Sequence, residues 1–266
     1  MVEAEVNYLA PMAERPRYHA NDQSRDVLRL APTRIAVTDL RDAAEQPLLD
    51  REGFALVTHR SAVTDYADRE QTDALHRREI RDLLLDLTGA DEVVVTAPGV
   101  LRFGEKSGRA GSLDNSRPAR FVHVDISDMT ARAFAARSGA EGRAVRRFAH
   151  YNVWRAFSDA PQDVPLALCD ARSVADADLI AADAVFDKPG VPEWSFEGWC
   201  VAANPDHRWC YFRDMTPGEV LVFKTNDSDP ARAHCVPHSA FDDPGVPAGV
   251  PPRSSIEMRG IAFWYE

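Results

Sequence analysis

The chain has 266 residues, of which 45% are hydrophobic and 27% charged, and its formal net charge is −11. That is ample for a proper core, and the acidic surplus argues against a general nucleic-acid or anionic-membrane surface. There is no signal-peptide pattern and no 18-residue apolar run, and the four cysteines lack zinc spacing, so the expectation is reduced, mostly buried thiols in a cytoplasmic protein without a membrane span.

Residues 1–33 carry Pro11, Pro16 and Pro32 and predict an extended arm on the surface of the domain. Short strands follow at 34–37 and 53–57. The clearest helix spans 65–88: Leu75, Ile80, Leu83, Leu84 and Leu87 recur at helical spacing, and Gly89 is a natural stop. A buried strand at 92–96 is closed by Pro98-Gly99. Residues 104–118 are polar and Gly/Ser-rich, a loop that is either a lid over a site or plain surface. They lead into 119–127, Ala-Arg-Phe-Val-His-Val-Asp-Ile-Ser, read as a strand. Residues 128–148 predict an Ala- and Arg-rich helical insertion with a break near Ser138-Gly139. Beyond 149 the texture changes to short strands, at 151–157, 165–170, 197–202, 208–212, 219–224, 235–241 and 255–264, separated by Pro- and Gly-rich turns. Strands after helical elements predict an α+β, mainly β fold: a sandwich or jelly-roll barrel with helices packed outside, forming one domain over 1–266.

The chemistry centres on 119–127. In an extended strand His123 and Asp125 share one face, and Val122, Val124 and Ile126 the other. A His and a carboxylate projecting together are two-thirds of a 2-His-1-carboxylate triad, the open-sided site of non-haem Fe(II) oxygenases. His238, on a late predicted strand, suits the third ligand. His150 adjoins a strand and His207 sits in a turn that suits the surface. His234 is the rival, because positions 234 and 238 share a strand face and periodicity does not separate them. Downstream, Arg253 and Ser255 form an Arg-x-Ser pair at the start of the last strand. A guanidinium forks onto a carboxylate and a hydroxyl adds a hydrogen bond, as the distal carboxylate of 2-oxoglutarate demands. Arg259 lies on the same face and is a second candidate. The bland alternative is a surface arginine in a Pro-rich loop with Arg259 beside Glu257.

Several blocks carry a resemblance: Val6-Asn-Tyr-Leu9, Asn152-Val-Trp-Arg155, the stretch from Pro165 to Ser173, His207-Arg-Trp-Cys-Tyr211 with Met215-Thr-Pro-Gly-Glu219, Phe223-Lys-Thr-Asn-Asp-Ser228, the stretch from Pro237 to Pro244, and Arg253-Ser-Ser-Ile-Glu-Met-Arg259. Together they resemble the non-haem iron oxygenases that include the cephamycin methoxylation protein, fungal meroterpenoid oxygenases and gibberellin-desaturase-like proteins. The resemblance implies a double-stranded β-helix (jelly roll, cupin-like) with iron on His123, Asp125 and His238, and an anion-binding arginine near the C-terminus. It implies Fe(II), 2-oxoglutarate and O2 as cofactors, and hydroxylation or desaturation of a small specialised metabolite. On the strand at 151–157, Asn152 and Trp154 point the same way; Asn152 is expected to orient the co-substrate and Trp154 to line the pocket, with core packing as the alternative. Lys224 and Asp227 are expected to be structural hydrogen-bonding partners. Two other functions stay open: an iron oxidase of the same fold that does not use 2-oxoglutarate, and a jelly-roll binding protein without turnover. Oligomeric state cannot be read.

Overall fold

The computed structural model describes residues 1–96, 98–139 and 141–266. Two sheets make up most of it. The major sheet has nine strands in the spatial order Val2–Leu9, Leu30–Asp39, Trp209–Tyr211, Leu166–Cys169, His238–Ala240, His123–Val124, Trp194–Val201, Leu179–Phe186 and Arg17–His19. The minor sheet runs Phe54–Thr58, Glu219–Asp227, Val145–Ala156, Ser254–Tyr265 and Glu92–Val95, with Val100–Phe103 also paired to Ser254–Tyr265. Neighbours in space are rarely neighbours in sequence, so the sheets are knitted by long crossovers, as in the expected jelly roll.

Between the sheets lies a core of Phe54, Trp154, Leu166, Leu168, Leu221, Phe223 and Val236, drawn from both of them. Trp154 and Phe223 come from the minor sheet, Leu166 and Leu168 from the major one. On the outer face of the minor sheet rides the helix Arg77–Thr88. Its Ile80 and Leu84 pack with Val93, Val95, Met258 and Ala262. The helix comes so close that a Cβ on Gly260 would meet Leu84 Cδ1 at 2.6 Å, so any larger residue there would make Leu84 shift. Gly89 ends the helix in the left-handed conformation, φ 62°, as the sequence predicts. A helical turn, Arg69–Gln71, and a π-helical stretch, Thr72–His76, precede it. The wider π turn shifts the apolar stripe and leaves Leu75 39% exposed.

Two expectations need correcting, and one strand was not expected at all. The surface arm expected over 1–33 holds an edge strand of the major sheet with a buried face: in Val2–Leu9, the residues Ala4, Val6 and Tyr8 are buried against Val37, Val122 and Trp209. Apolar residues alternate with Glu3, Glu5 and Asn7, a period-two pattern that the nearby prolines mask. Pro32 is tolerated within Leu30–Asp39 because it lies opposite Asn7, in the half of the strand paired on one side only. Next, the helix expected over 128–148 is Asp128–Ser138, started by the Ser127 hydroxyl accepting from Thr130 N–H; Val145 already begins the longest strand pair. Ala140, inside that stretch, lies outside the described residues. Finally, Leu179–Phe186, Leu-Ile-Ala-Ala-Asp-Ala-Val-Phe, forms a strand despite its alanines. Its ladder to Trp194–Val201 and the burial of Ala182, Ala184 and Val185 override local propensity.

Candidate active site

His123 and His238 are directly opposite each other on adjacent antiparallel strands. That register brings their rings to 4.3 Å between centroids, and Phe223 packs against the far side of His238 at 4.8 Å. Asp125 follows two residues after His123, and its Oδ1 lies 3.7 Å from His123 Nε2. One ligand-type atom from each of the three lies within 4.8 Å of the others, all three residues being buried. The strand at 119–127 is shorter than expected, His123–Val124 forming the ladder and Phe121 only a single bridge to Asn7, and Ile126 turns into the same cavity as Asp125. The strand Trp194–Val201 crosses here at Gly198. A Cβ on that glycine would stand 2.7 Å from the Asp125 carbonyl oxygen, so glycine lets the two backbones close around the site.

Hydrogen bonds aim the donors. His123 Nδ1–H donates to the Phe121 carbonyl at 2.9 Å, and His238 Nδ1–H to the Val236 carbonyl at 3.1 Å. A carbonyl only accepts, so each Nδ1 carries the proton and each Nε2 is left with a free lone pair. Burial, reinforced by His238, pushes the His123 pKa down to about 3, and burial also lowers that of His238. At neutral pH both rings are therefore uncharged. Asp125 behaves in the opposite way. Burial opposes its ionisation, but Arg259 and the two histidines outweigh it and hold the carboxyl below its ordinary range. Two neutral imidazoles and one carboxylate, all with lone pairs converging, form a donor set able to hold a divalent metal such as Fe(II).

The minor sheet supports this group from across the barrel. Arg259 stands opposite Asn152, and Glu257 opposite Trp154. Asn152 Nδ2 donates to Asp125 Oδ2 at 2.5 Å and Arg259 Nη2 to Asp125 Oδ1 at 3.1 Å. Arg259 also binds Glu257 Oε1 at 2.8 Å. Of the residues expected to meet 2-oxoglutarate, Asn152 and Arg259 thus touch the aspartate instead. Ser255 is fully buried and its hydroxyl lies 3.3 Å from the Arg102 carbonyl.

Arg253 is different. A narrow cavity between the triad and Arg253 is walled by Arg102, Trp154, Leu166 and Glu257. Arg253 is buried, with its guanidinium 5.5 Å over the Trp154 ring and Nη1 donating to the Val164 carbonyl at 2.6 Å. Among the described residues its Nε has no partner. Burial, then the charges of Arg102 and Arg120, depress its pKa to about 9. Arg253 lines this cavity, so a buried cation without a full set of acceptors stands beside the triad and has the charge to meet a carboxylate.

A second, wider cavity of about 530 Å³ reaches Asp125 from the other side. Phe134, Phe186, Trp194 and Phe196 line it, and Asp114 and Asn115 of the polar loop 104–118 form part of its wall.

His234 does not join the cluster. Its Nε2 pairs with Asp128 at 2.9 Å, and it precedes the strand that carries His238. His207, expected at the surface, is buried between Tyr8 and Asp178. Arg102 and Gly198 escaped sequence reasoning, and Glu257 was read only as a neighbour of Arg259, which it does bind. Arg102, a lone cation in the apolar strand Val100–Phe103, was the one local signal.

Comparisons with known proteins show the family and the fold. Residues 6–263 match the family described as "Oxidoreductase/YMDC permease-like domain"; among the described residues no helix is long and apolar enough to cross a membrane. The hydroxylase/desaturase efuI of Hormonema carpetanum is 32% identical over 86% of this chain and 83% of its own. The alpha-ketoglutarate-dependent dioxygenase phiK of a fungal species is 28% identical over 99% of this chain and 96% of its own. Among solved structures, the iron and alpha-ketoglutarate-dependent endoperoxidase NvfI superposes with a TM-score of 0.82 at 23% identity, covering 99% of this chain and 98% of that one, and so shares the jelly-roll fold. The chain belongs to the family of non-haem Fe(II)/2-oxoglutarate-dependent oxygenases that contains these hydroxylases, desaturases and dioxygenases.

Proposed function

We propose that His123, Asp125 and His238 hold Fe(II), that 2-oxoglutarate lies in the narrow cavity with its distal carboxylate on Arg253, and that a small specialised metabolite enters by the wide cavity. The observation that carries this is the tied-off Nδ1 of both histidines, which leaves two Nε2 lone pairs and the Asp125 carboxylate converging beside an arginine with a free buried donor. Fe(II) bound there, with 2-oxoglutarate and O2, supplies the oxidant for hydroxylation or desaturation of an unactivated C–H bond. The chain's own work is placement. Asn152 and Arg259 fix the rotamer and charge of Asp125, Trp154 walls the co-substrate, and the apolar sheets exclude water. Ser255 braces the Arg102 backbone behind the Arg253 clamp. Residues 1–266 act as one oxygenase domain, working in the cytoplasm.

An anaerobic titration of apo-protein with Fe(II), then 2-oxoglutarate, tests this. The expected result is a visible charge-transfer band that needs both additions and vanishes in His238→Ala. Iron binding without the band would favour an oxidase that does not use 2-oxoglutarate; failure to bind iron would sink the enzyme reading at this site.

A further inference from the structure

The wide cavity has a chemistry of its own. Its aromatic wall is built by the hairpin of Leu179–Phe186 and Trp194–Val201. Phe186 and Trp194 are the last cross-strand pair of that ladder, and Phe196 lies two residues on, on the same face. Phe186 stacks on Trp194 at 4.5 Å between centroids and on Phe196 at 5.2 Å, and Phe134 meets Phe196 edge-on at 5.4 Å. Trp194 is 52% exposed at the cavity, a large apolar surface left in water. The charges around this platform are uneven. Asp125 is neutralised by Arg259, and Asp114 faces Lys188 at 3.5 Å. Arg69 and Arg137 also line the cavity, and among the described residues neither meets a carboxylate within ion-pair distance. Arg137 is steered by its own helix, Nε donating to the Ala133 carbonyl at 3.1 Å, with the guanidinium 5.1 Å from the Phe134 ring. The cavity therefore joins an apolar aromatic floor to two cations that lack counter-ions.

We infer that this site takes an amphipathic anion: a largely apolar body resting on Phe134, Phe186, Trp194 and Phe196, with a carboxylate or other acidic group at Arg69 and Arg137. The volume of about 530 Å³ suits a ligand of drug-like size. The inference rests on the wide cavity being the substrate's entry, as proposed above, and narrows the substrate class to acids.

The test uses the full-length protein without iron or 2-oxoglutarate and two fluorescent probes. 1-Anilinonaphthalene-8-sulfonate carries an aromatic body and an anion; N-phenyl-1-naphthylamine carries the same body without the charge. Arg69→Gln combined with Arg137→Gln should weaken the sulfonate about tenfold at low salt and leave the amine within about twofold, because two exposed cations are removed. Added salt should weaken the sulfonate alone. Trp194→Ala should weaken both probes. Absence of sulfonate binding, or equal effects of the arginine changes on the two probes, would overturn the proposal, as would binding that ignores both sets of substitutions. Both variants change exposed side chains, and circular dichroism verifies their fold. Since neither iron nor co-substrate is present, failure here leaves the Fe(II) titration standing, and failure of that titration leaves this result intact.

Discussion

Two clusters of buried charge sit in this barrel, and they are built differently. Around Lys224 every charge is met. Its Nζ reaches Asp50 at 2.7 Å and Asp227 at 2.6 Å, Arg147 clasps both oxygens of Asp227 at 3.0 and 2.6 Å, and Arg232 pairs with Asp50. Around Asp125 the aspartate is met by Arg259 and Asn152, yet Arg253 keeps a buried Nε with no acceptor. Both clusters suffer the desolvation that burial brings. The saturated one ties Glu219–Asp227 to its neighbours and has nothing left to offer a ligand. The unsaturated one carries an incomplete shell, and an acceptor with the charge of a carboxylate would complete it. Buried charge alone does not mark a functional site, and neither does an unspent donor alone, since Arg155 also keeps an unpartnered Nε among the described residues while bonded to His59 and Pro217; Arg253 differs in lining the cavity that holds His123, Asp125 and His238.

Breaking the saturated cluster should have the largest effect. Asp227→Ala leaves Lys224 and Arg147 sharing only the half-exposed Asp50, so a loss of about 3 kcal/mol is expected, read by urea unfolding, while Fe(II) affinity stays near wild type. Arg253→Met should do the reverse. It removes a buried cation that lacks a full shell, so apo stability should hold or rise by about 1–4 kcal/mol. Affinity for 2-oxoglutarate, titrated anaerobically into the Fe(II) protein, should fall about 100-fold, since one partner of a desolvated pair is gone. Equal stability losses in the two variants would erase the contrast. Asn152→Ala is subtler: Asp125 loses its orienting amide, and Fe(II) affinity should drop about 10- to 100-fold with the 2-oxoglutarate band still attainable at higher iron.

The difference between the clusters also explains what the sequence could disclose. His123 and Asp125 were legible because a two-residue spacing on a strand fixes a shared face, and Arg253 because an arginine opening a late strand had an evident task. Lys224 and Asp227 were rightly read as structural partners. The selection of His238 over His234 was not legible from periodicity. It depends on His238 pairing across from His123, a long-range register, while His234 is drawn off to Asp128. Asn152 and Arg259 were placed near the site, but their hydrogen bonds to Asp125 were not foreseen, since only the packing of one sheet against the other brings them there. The N-terminal strand was hidden by prolines that an edge position tolerates. Face and spacing are local properties; who meets whom across the barrel is not.

Acid should separate the two clusters by pH. On the active-site side, His150 is buried, its Nε2–H donating to the Ala131 carbonyl at 3.0 Å, and burial holds its pKa near 4 against an ordinary 6.5. A folded-state pKa below the unfolded one means that the unfolded chain binds the proton first. The stability this neutral ring contributes is full above pH 6.5 and is lost as pH falls toward 4, at up to about 1.4 kcal/mol per pH unit for one proton. Asp50, in the saturated cluster, is also depressed: burial opposes its ionisation, but Lys224 and the neighbouring arginines outweigh it. Its contribution is full above the ordinary carboxylate pKa of 3.8 and disappears only below that. His150→Gln keeps a donor for Ala131 and removes the titration. Urea midpoints of this variant should therefore fall less steeply than wild type between pH 6.5 and 4, by about one proton's worth of slope, and run parallel to it below. A variant that instead diverged only below pH 4 would place the early acid response in the carboxylates and count against a neutral, buried His150.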